Sequence, residues 1–176
     1  IDTGDVLMYA SFPVTERDTA ATLMVKCIRK GIEMFPAVMD QLFSGQLTRI
    51  PQHTGASYYG KKDYPENGGY INFTLSCGEI DRLVRGLNYI PFANPFIYAK
   101  IRCNGNELIV NAVETDEPAA GVSAGTVVSV DEEELKIQCA DGLITITDAM
   151  DEEQEECIGS RLAEKLGIYV GDRING

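Results

Sequence analysis

Hydrophobic and polar positions repeat with two different periods along this chain, and the change of period divides it. Val6, Met8, Ala10 and Phe12 alternate, with Leu7 and Tyr9 on the other face, which predicts a strand over Val6–Val14 ending at Pro13. Leu23, Met24, Cys27, Ile28, Ile32, Phe35, Met39, Leu42 and Phe43 then recur at helical spacing, behind Asp18 or Thr19 as N-cap and ahead of Gly45 as C-cap. Pro36 lies inside that pattern, so it either kinks one helix or separates two shorter ones. Thr48 to Gly69 shows no period. Its length and its glycines, prolines and tyrosines fit a loop that lines a site better than an inert connector. Tyr70–Phe73 reads as a short strand, and Ser76 with Glu79 forms a capping box opening a helix that carries Ile80, Leu83, Val84 and Leu87.

Beyond Pro95 the pattern is strands: Phe96–Cys103, Leu108–Thr115, Gly125–Val130, Leu135–Ala140 and Leu143–Ala149. Asn104-Gly105 and Asp141-Gly142 are hairpin dipeptides, because both tolerate the positive φ of tight primed turns. A helix over Ile158–Leu166 follows and stops at Gly167. The prediction is α/β plus β: an α/β portion over residues 1–92 and a small open OB-like β-barrel over residues 93–176.

With 176 residues, 44% of them hydrophobic, the chain can fill a core. Its formal charge of −12 is unevenly spread: residues 1–93 hold ten acidic and nine basic residues, residues 94–176 seventeen and six. Broad electrostatic attraction to nucleic acid or an anionic membrane is thereby disfavoured. The runs Asp131–Glu134 and Asp151–Glu156 read as solvated surface, the second helped by the helix N-terminus that follows it. Five widely spaced cysteines offer neither a close-spaced zinc motif nor a fully paired disulfide framework, so most are expected as buried thiols. With one histidine, His53, no metal site is expected. There is no apolar run long enough to span a bilayer and no signal-like start, which points to the cytoplasm. The lack of an initiator Met suggests a natural protein beginning upstream.

Two segments carry candidate chemistry. Asp2-Thr3-Gly4-Asp5 sets two carboxylates around a glycine, suited to positioning a proton or an amine. Ala56-Ser57-Tyr58-Tyr59-Gly60-Lys61-Lys62 combines aromatic faces with cations, suited to stacking on a flat ring and meeting a phosphate or carboxylate.

In order and spacing these pieces resemble the folate-dependent formyltransferases, a group including methionyl-tRNA formyltransferase and the nucleotide-sugar N-formyltransferases. Ile1-Asp2-Thr3-Gly4-Asp5 is similar to the family's "LDTGD" segment. Ile50-Pro51-Gln52, the Ala56–Lys62 loop, Gly69–Phe73, Ile80–Asn88 and Leu166–Ile174 follow as later landmarks. The resemblance implies the C-terminal part of a Rossmann-like catalytic domain over 1–92, then the family's C-terminal barrel. It implies formyltetrahydrofolate as formyl donor, Asp2 as the catalytic carboxylate, and Asp2 with Gly4 at the cofactor. Tyr58, Tyr59, Lys61 and Lys62 become the acceptor-binding residues. The family's catalytic Asn and His belong upstream of this aspartate, so the fragment is expected to be inactive alone. Asn72 stands where relatives carry Asp, and Asn88-Tyr89-Ile90-Pro91-Phe92-Ala93 where they commonly carry a Trp- and Gly-containing turn.

The resemblance implies a primary amine as acceptor. The acidic barrel favours an amino-sugar nucleotide of the UDP-amino-arabinose type over initiator methionyl-tRNA, since tRNA binding demands a basic face. A non-catalytic barrel module is the third reading.

Overall fold

The computed structural model describes residues 4–52, 55, 57, 59–60, 62–65 and 67–174. Its internal contacts separate two units, residues 1–63 and 64–176. Residues 64–92, expected with the α/β portion, thus pack with the strands.

The first unit is built on α1 (Ala20–Ser44). Thr19 and Thr22 exchange side-chain and backbone hydrogen bonds across its first turn, and Gly45 ends it at φ 70°. Pro36 neither breaks it nor splits it: one 25-residue helix runs through. Asp18, just ahead of the cap, is 7% exposed. Its carboxylate accepts from Thr15 N at 2.7 Å, Thr22 Oγ1 at 2.9 Å and Lys26 Nζ at 2.6 Å. The Lys26 ammonium, with the Thr15 amide, holds that carboxyl well below the usual carboxylate range.

The helical pattern read from the sequence is present, yet most of its apolar stripe faces outward: Ile32 is 69% exposed, Phe35 62% and Phe43 80%. The strand expected over Val6–Val14 is reduced to one antiparallel bridge, Val6 to Ile50. Alternation marks a strand only where neighbours pair with it, and among the described residues of this unit Ile50 alone does. The α/β layer expected for residues 1–92 is therefore not formed among the described residues.

In the second unit β1 (Lys100–Cys103), β2 (Asn106–Asp116), β3 (Val127–Val130), β4 (Leu135–Gln138) and β5 (Leu143–Met150) fall at all five expected places. Every pairing is antiparallel, in the order β1-β2-β5-β4-β3. Irregularities at Val110–Val113 of β2 and Val127–Ser129 of β3 fit the curl of a half-barrel whose edges are β1 and β3. Asn104 (φ 51°) and Gly105 (φ 83°) make the β1–β2 turn as expected. Gly142 has another reason to be glycine: a Cβ there would lie 2.6 Å from the Asp116 carbonyl oxygen and 2.9 Å from Cys77 Sγ.

α2 (Cys77–Leu87) carries the expected Ser76/Glu79 capping box and buries Ile80 and Val84. α3 (Gly159–Leu166) buries Leu162 and Leu166 and ends on Gly167. These side chains share one core with Ile101, Leu108, Val110, Leu135, Ile137, Ile144 and Ile146. Tyr70–Phe73, expected as a short strand, makes one parallel bridge to Lys100 and sends Ile71 and Phe73 into the core.

Cys77 and Cys139 are joined by a disulfide; Cys27, Cys103 and Cys157 are free. Only Cys157 of the free thiols is buried, which corrects the expectation that most are. The fold brings the first turn of α2 onto the β4–β5 turn, a proximity across 62 positions that spacing does not reveal. No helix among the described residues is long and apolar enough to cross a membrane.

Candidate active-site segment

Of the residues expected at the site, Asp2, Tyr58 and Lys61 lie outside the described residues, as does His53. Gly4, Tyr59 and Lys62 are described, and all belong to the first unit. Two chain segments meet there. Val6 N donates to Ile50 O at 2.8 Å and Ile50 N to Val6 O at 2.9 Å, so residues 4–6 run antiparallel to residues 50–52. In that register Gly4 stands opposite Gln52, and the Gln52 side-chain Nε2 donates to the Gly4 carbonyl at 2.7 Å.

Gly4 is exposed, and among the described residues nothing lies within 4 Å of where its Cβ would be. Tyr59, 84% exposed, is ready to stack rather than to fill a core. Lys62 sits in a turn closed by Asp63, whose backbone N donates to Gly60 O at 3.0 Å and whose carboxylate accepts from Gly60 N. The expected aromatic–cation loop therefore follows directly on the strand that pairs with the motif.

Sequence reasoning singled out Ile50-Pro51-Gln52 only as a landmark and gave Gln52 no role. The signal was positional: Gln52 faces the motif only once the Val6–Ile50 pairing is known. A cleft beside Phe12 and Pro13, lined by Lys26, Arg29, Lys30 and Glu33, was also missed. Lys26 and Lys30 are paired there with Asp18 and Glu33.

The second unit offers a different electrostatic picture. It holds 20 acidic and eight basic residues, a net charge of −12, against seven of each in residues 1–63. Six of its eight cations are ion-paired: Arg85 with Asp81, Lys100 and Arg102 with Glu107, Lys136 with Asp116 and Glu134, Arg161 with Glu155, and Lys165 with Asp151.

A curled antiparallel half-barrel with α2 on it, preceded by the motif and its paired loop, defines a class of protein. The sequence profile of the family described as "Formyl transferase, C-terminal domain" matches residues 65–166, and the chain belongs to that family. It is similar to the methionyl-tRNA formyltransferase of Lachnospira eligens, 27% identical over 151 residues, covering 84% of this chain and 46% of that protein.

Among solved structures it resembles the N-formyltransferase of Helicobacter canadensis in complex with folinic acid and dTDP-3-aminofucose. That match has a TM-score of 0.61 at 21% identity, covering 84% of this chain and 51% of that one. HypX of Aquifex aeolicus in complex with tetrahydrofolic acid gives a TM-score of 0.58 at 20% identity, over 94% of this chain and 28% of that one. Likenesses this distant speak to the fold alone. The chain spans about half the length of the curated relative it matches.

Proposed function

We propose that this chain is the C-terminal portion of a formyltetrahydrofolate-dependent N-formyltransferase whose acceptor is the primary amine of an amino-sugar nucleotide. The family membership supports the reaction class. The observation that carries the acceptor is the pairing of six of the eight cations of an acidic second unit with its own carboxylates. A polyanion meeting that surface would have to break these pairs and approach a net charge of −12. A small acceptor held by the first unit avoids that cost.

Formyltetrahydrofolate supplies an electrophilic formyl carbon when bound. Asp2 with Gly4 would hold it, as the family resemblance implies. Tyr59 and Lys62, with Tyr58 and Lys61, would hold the acceptor by stacking and by charge. The amine must be neutral to attack and must shed a proton once the new C–N bond forms. Asp2 is the group in this chain suited to take part in that transfer. The Asn and His that would stabilise the developing oxyanion belong, by the family resemblance, to an upstream segment of the full-length protein. On this reading the 176-residue chain has no activity alone, the division of the parent into a Rossmann-like domain and a barrel is retained, and the location is cytoplasmic. The redox state of Cys77 and Cys139 in cells is a direct check on that location.

The second reading, formylation of initiator methionyl-tRNA, is favoured by the relative from Lachnospira eligens. A non-catalytic barrel module is the third. Formyl transfer by the full-length protein to a UDP- or dTDP-linked amino sugar, measured beside transfer to charged initiator tRNA, separates them. Sugar formylation is expected; efficient tRNA formylation without it overturns the acceptor, and neither activity favours the module.

A further inference from the structure

Cys77 and Cys139 are chemically unequal partners. Cys77 opens α2 and is 8% exposed, whereas Cys139 directly follows β4 and is 1% exposed. A cleft of about 450 Å³ lies between the start of α2, at Cys77, Gly78 and Asp81, and residues 113–115 of β2. Of the two cysteines, Cys77 lines it. The first turn of a helix also favours a thiolate, the form of sulfur that exchanges. Cys139 Sγ instead has the Gly142 carbonyl oxygen at 3.1 Å and Asp141 Oδ1 at 3.6 Å, both of which disfavour an anionic sulfur. The two residues are held together by bonds that do not involve sulfur. Cys77 N donates to Asp141 Oδ1 at 2.7 Å and Ala140 N to Leu75 O at 3.0 Å, which keeps the start of α2 on the β4–β5 turn when the disulfide opens. A pair preformed in this way closes its bond without a search for the partner.

We infer that Cys77 and Cys139 form a reversible thiol–disulfide centre, in which Cys77 exchanges with small disulfides and Cys139 is the resolving thiol. The oxidant is a low-molecular-weight disulfide, RSSR. The Cys77 thiolate attacks one of its sulfurs, which forms a Cys77–SR mixed disulfide and releases RS⁻. Cys139 gives its proton to the adjacent Asp141 carboxylate, which is exposed and passes it to solvent. The Cys139 thiolate then attacks Cys77 Sγ: the Cys77–Cys139 bond forms, the bond to SR breaks, and the second RS⁻ leaves. Two protein thiols are oxidised and one small disulfide is reduced. In the reverse direction a small thiolate enters the cleft, attacks Cys77 Sγ and expels Cys139. A disulfide of this kind suits a reducing compartment, because it opens and closes in exchange with the thiol pool. The centre belongs to the half-barrel and does not depend on which amine the full-length protein formylates.

The test uses the native full-length protein, reduced, freed of reductant and mixed with bis(2-hydroxyethyl) disulfide, an uncharged probe. Peptide mapping by mass spectrometry separates Cys77 and Cys139 from Cys27, Cys103 and Cys157. The wild type is expected to close the Cys77–Cys139 bond and release two equivalents of mercaptoethanol. Cys139→Ser should stop at the mixed disulfide on Cys77 with one equivalent released, and in Cys77→Ser the adduct on Cys139 should form at least about 10-fold more slowly. A second measurement needs no variant, should either serine protein fail to give a cooperative melt. Under limiting iodoacetamide the reduced wild type should be alkylated at Cys77 at least about 10-fold faster than at Cys139. Equal or inverted labelling of the two overturns the assignment, as does an adduct on Cys139 in Cys77→Ser that forms as fast as the one on Cys77 in Cys139→Ser. Exchange that occurs only in denaturant overturns the centre itself and leaves a fixed structural cross-link.

Discussion

The Arg102 guanidinium lies over the Tyr70 ring, 4.2 Å from its centroid. Both residues also reach Glu107: the Tyr70 hydroxyl donates to Glu107 Oε1 at 2.6 Å, and Arg102 pairs with the same carboxylate. This ties the segment entering the second unit to the β1–β2 hairpin. The Tyr70 hydrogen bond, then Arg102, hold the Glu107 carboxyl below its usual range, and the same bond to Glu107 raises the Tyr70 hydroxyl above its own. A depressed carboxyl stabilises the fold above its unfolded value of about 4.3 and loses that contribution as pH falls through the folded value. A raised phenol contributes below its unfolded value of about 10 and loses it as pH climbs through the folded one. Thermal melts across pH should show a plateau between these limits. Glu107→Gln should flatten both flanks, and unchanged flanks would remove the cluster from the account.

Asp151 gives a second acid-sensitive point. It is 5% exposed, pairs with Lys165, and accepts from Glu155 N at 2.8 Å. Lys165 first, then that amide, lowers its carboxyl, so its contribution is also lost as pH drops below the unfolded value of about 3.9. Asp151→Asn should lower the melting temperature at pH 7 and narrow the difference between pH 7 and pH 3. An equal loss at both pH values would point to packing instead of charge.

Two glycines of the half-barrel should respond to alanine for different reasons. Gly105 has open space around it but sits at φ 83°, so Gly105→Ala should cost about 1–2 kcal/mol through the backbone alone. Gly142→Ala would drive a methyl to 2.6 Å from the Asp116 carbonyl oxygen and 2.9 Å from Cys77 Sγ, at an expected cost of about 1–3 kcal/mol. Denaturant titrations measure both. Asn at position 105 should be tolerated better than Ala, whereas Asn at 142 should be worse; the reverse order would refute the distinction.

These glycines also mark what was readable in the sequence. All five strands, the Asn104-Gly105 turn, the Ser76/Glu79 box and both helix-ending glycines Gly45 and Gly167 were legible, because each depends on residues adjacent in sequence. Asp141-Gly142 was legible as a turn but not in its cause, since its crowding comes from β2 and α2. The Cys77–Cys139 contact, the packing of α2 onto the strands, and Gln52 facing Gly4 all join distant segments and carry no local signature. Val6–Val14 misled for the opposite reason: its alternation is real, but one bridge is the extent of its pairing among the described residues.

The disulfide should contribute measurably. Joining positions 62 apart restricts the unfolded chain enough to be worth about 4 kcal/mol on a loop-entropy estimate. Reduction with a dithiol, or Cys77→Ser with Cys139→Ser, should lower the stability of the second unit by about 2–4 kcal/mol. Thiol counting by mass spectrometry should find three reactive cysteines before reduction and five after, under unfolding conditions. Five before reduction would show that the bond does not form in solution.

The outward stripe of α1 gives the last prediction. Ile28, Ile32, Phe35, Leu42 and Phe43 are exposed at helical spacing on a 25-residue helix whose one buried apolar residue is Ala21. A helix built for solvent on this side would carry charge there. On the proposed reading, the remainder of a Rossmann-like domain in the full-length protein covers the stripe. Ile32→Glu should therefore change the stability of the 176-residue chain by no more than about 0.5 kcal/mol and reduce its binding of a hydrophobic dye. In the full-length protein the same substitution should bury an unpaired carboxylate and cost about 2–4 kcal/mol. Denaturant melts of both chains supply the comparison. A cost under 0.5 kcal/mol in both would mean that the stripe stays exposed in the parent and that its catalytic domain is assembled without α1 as a core helix.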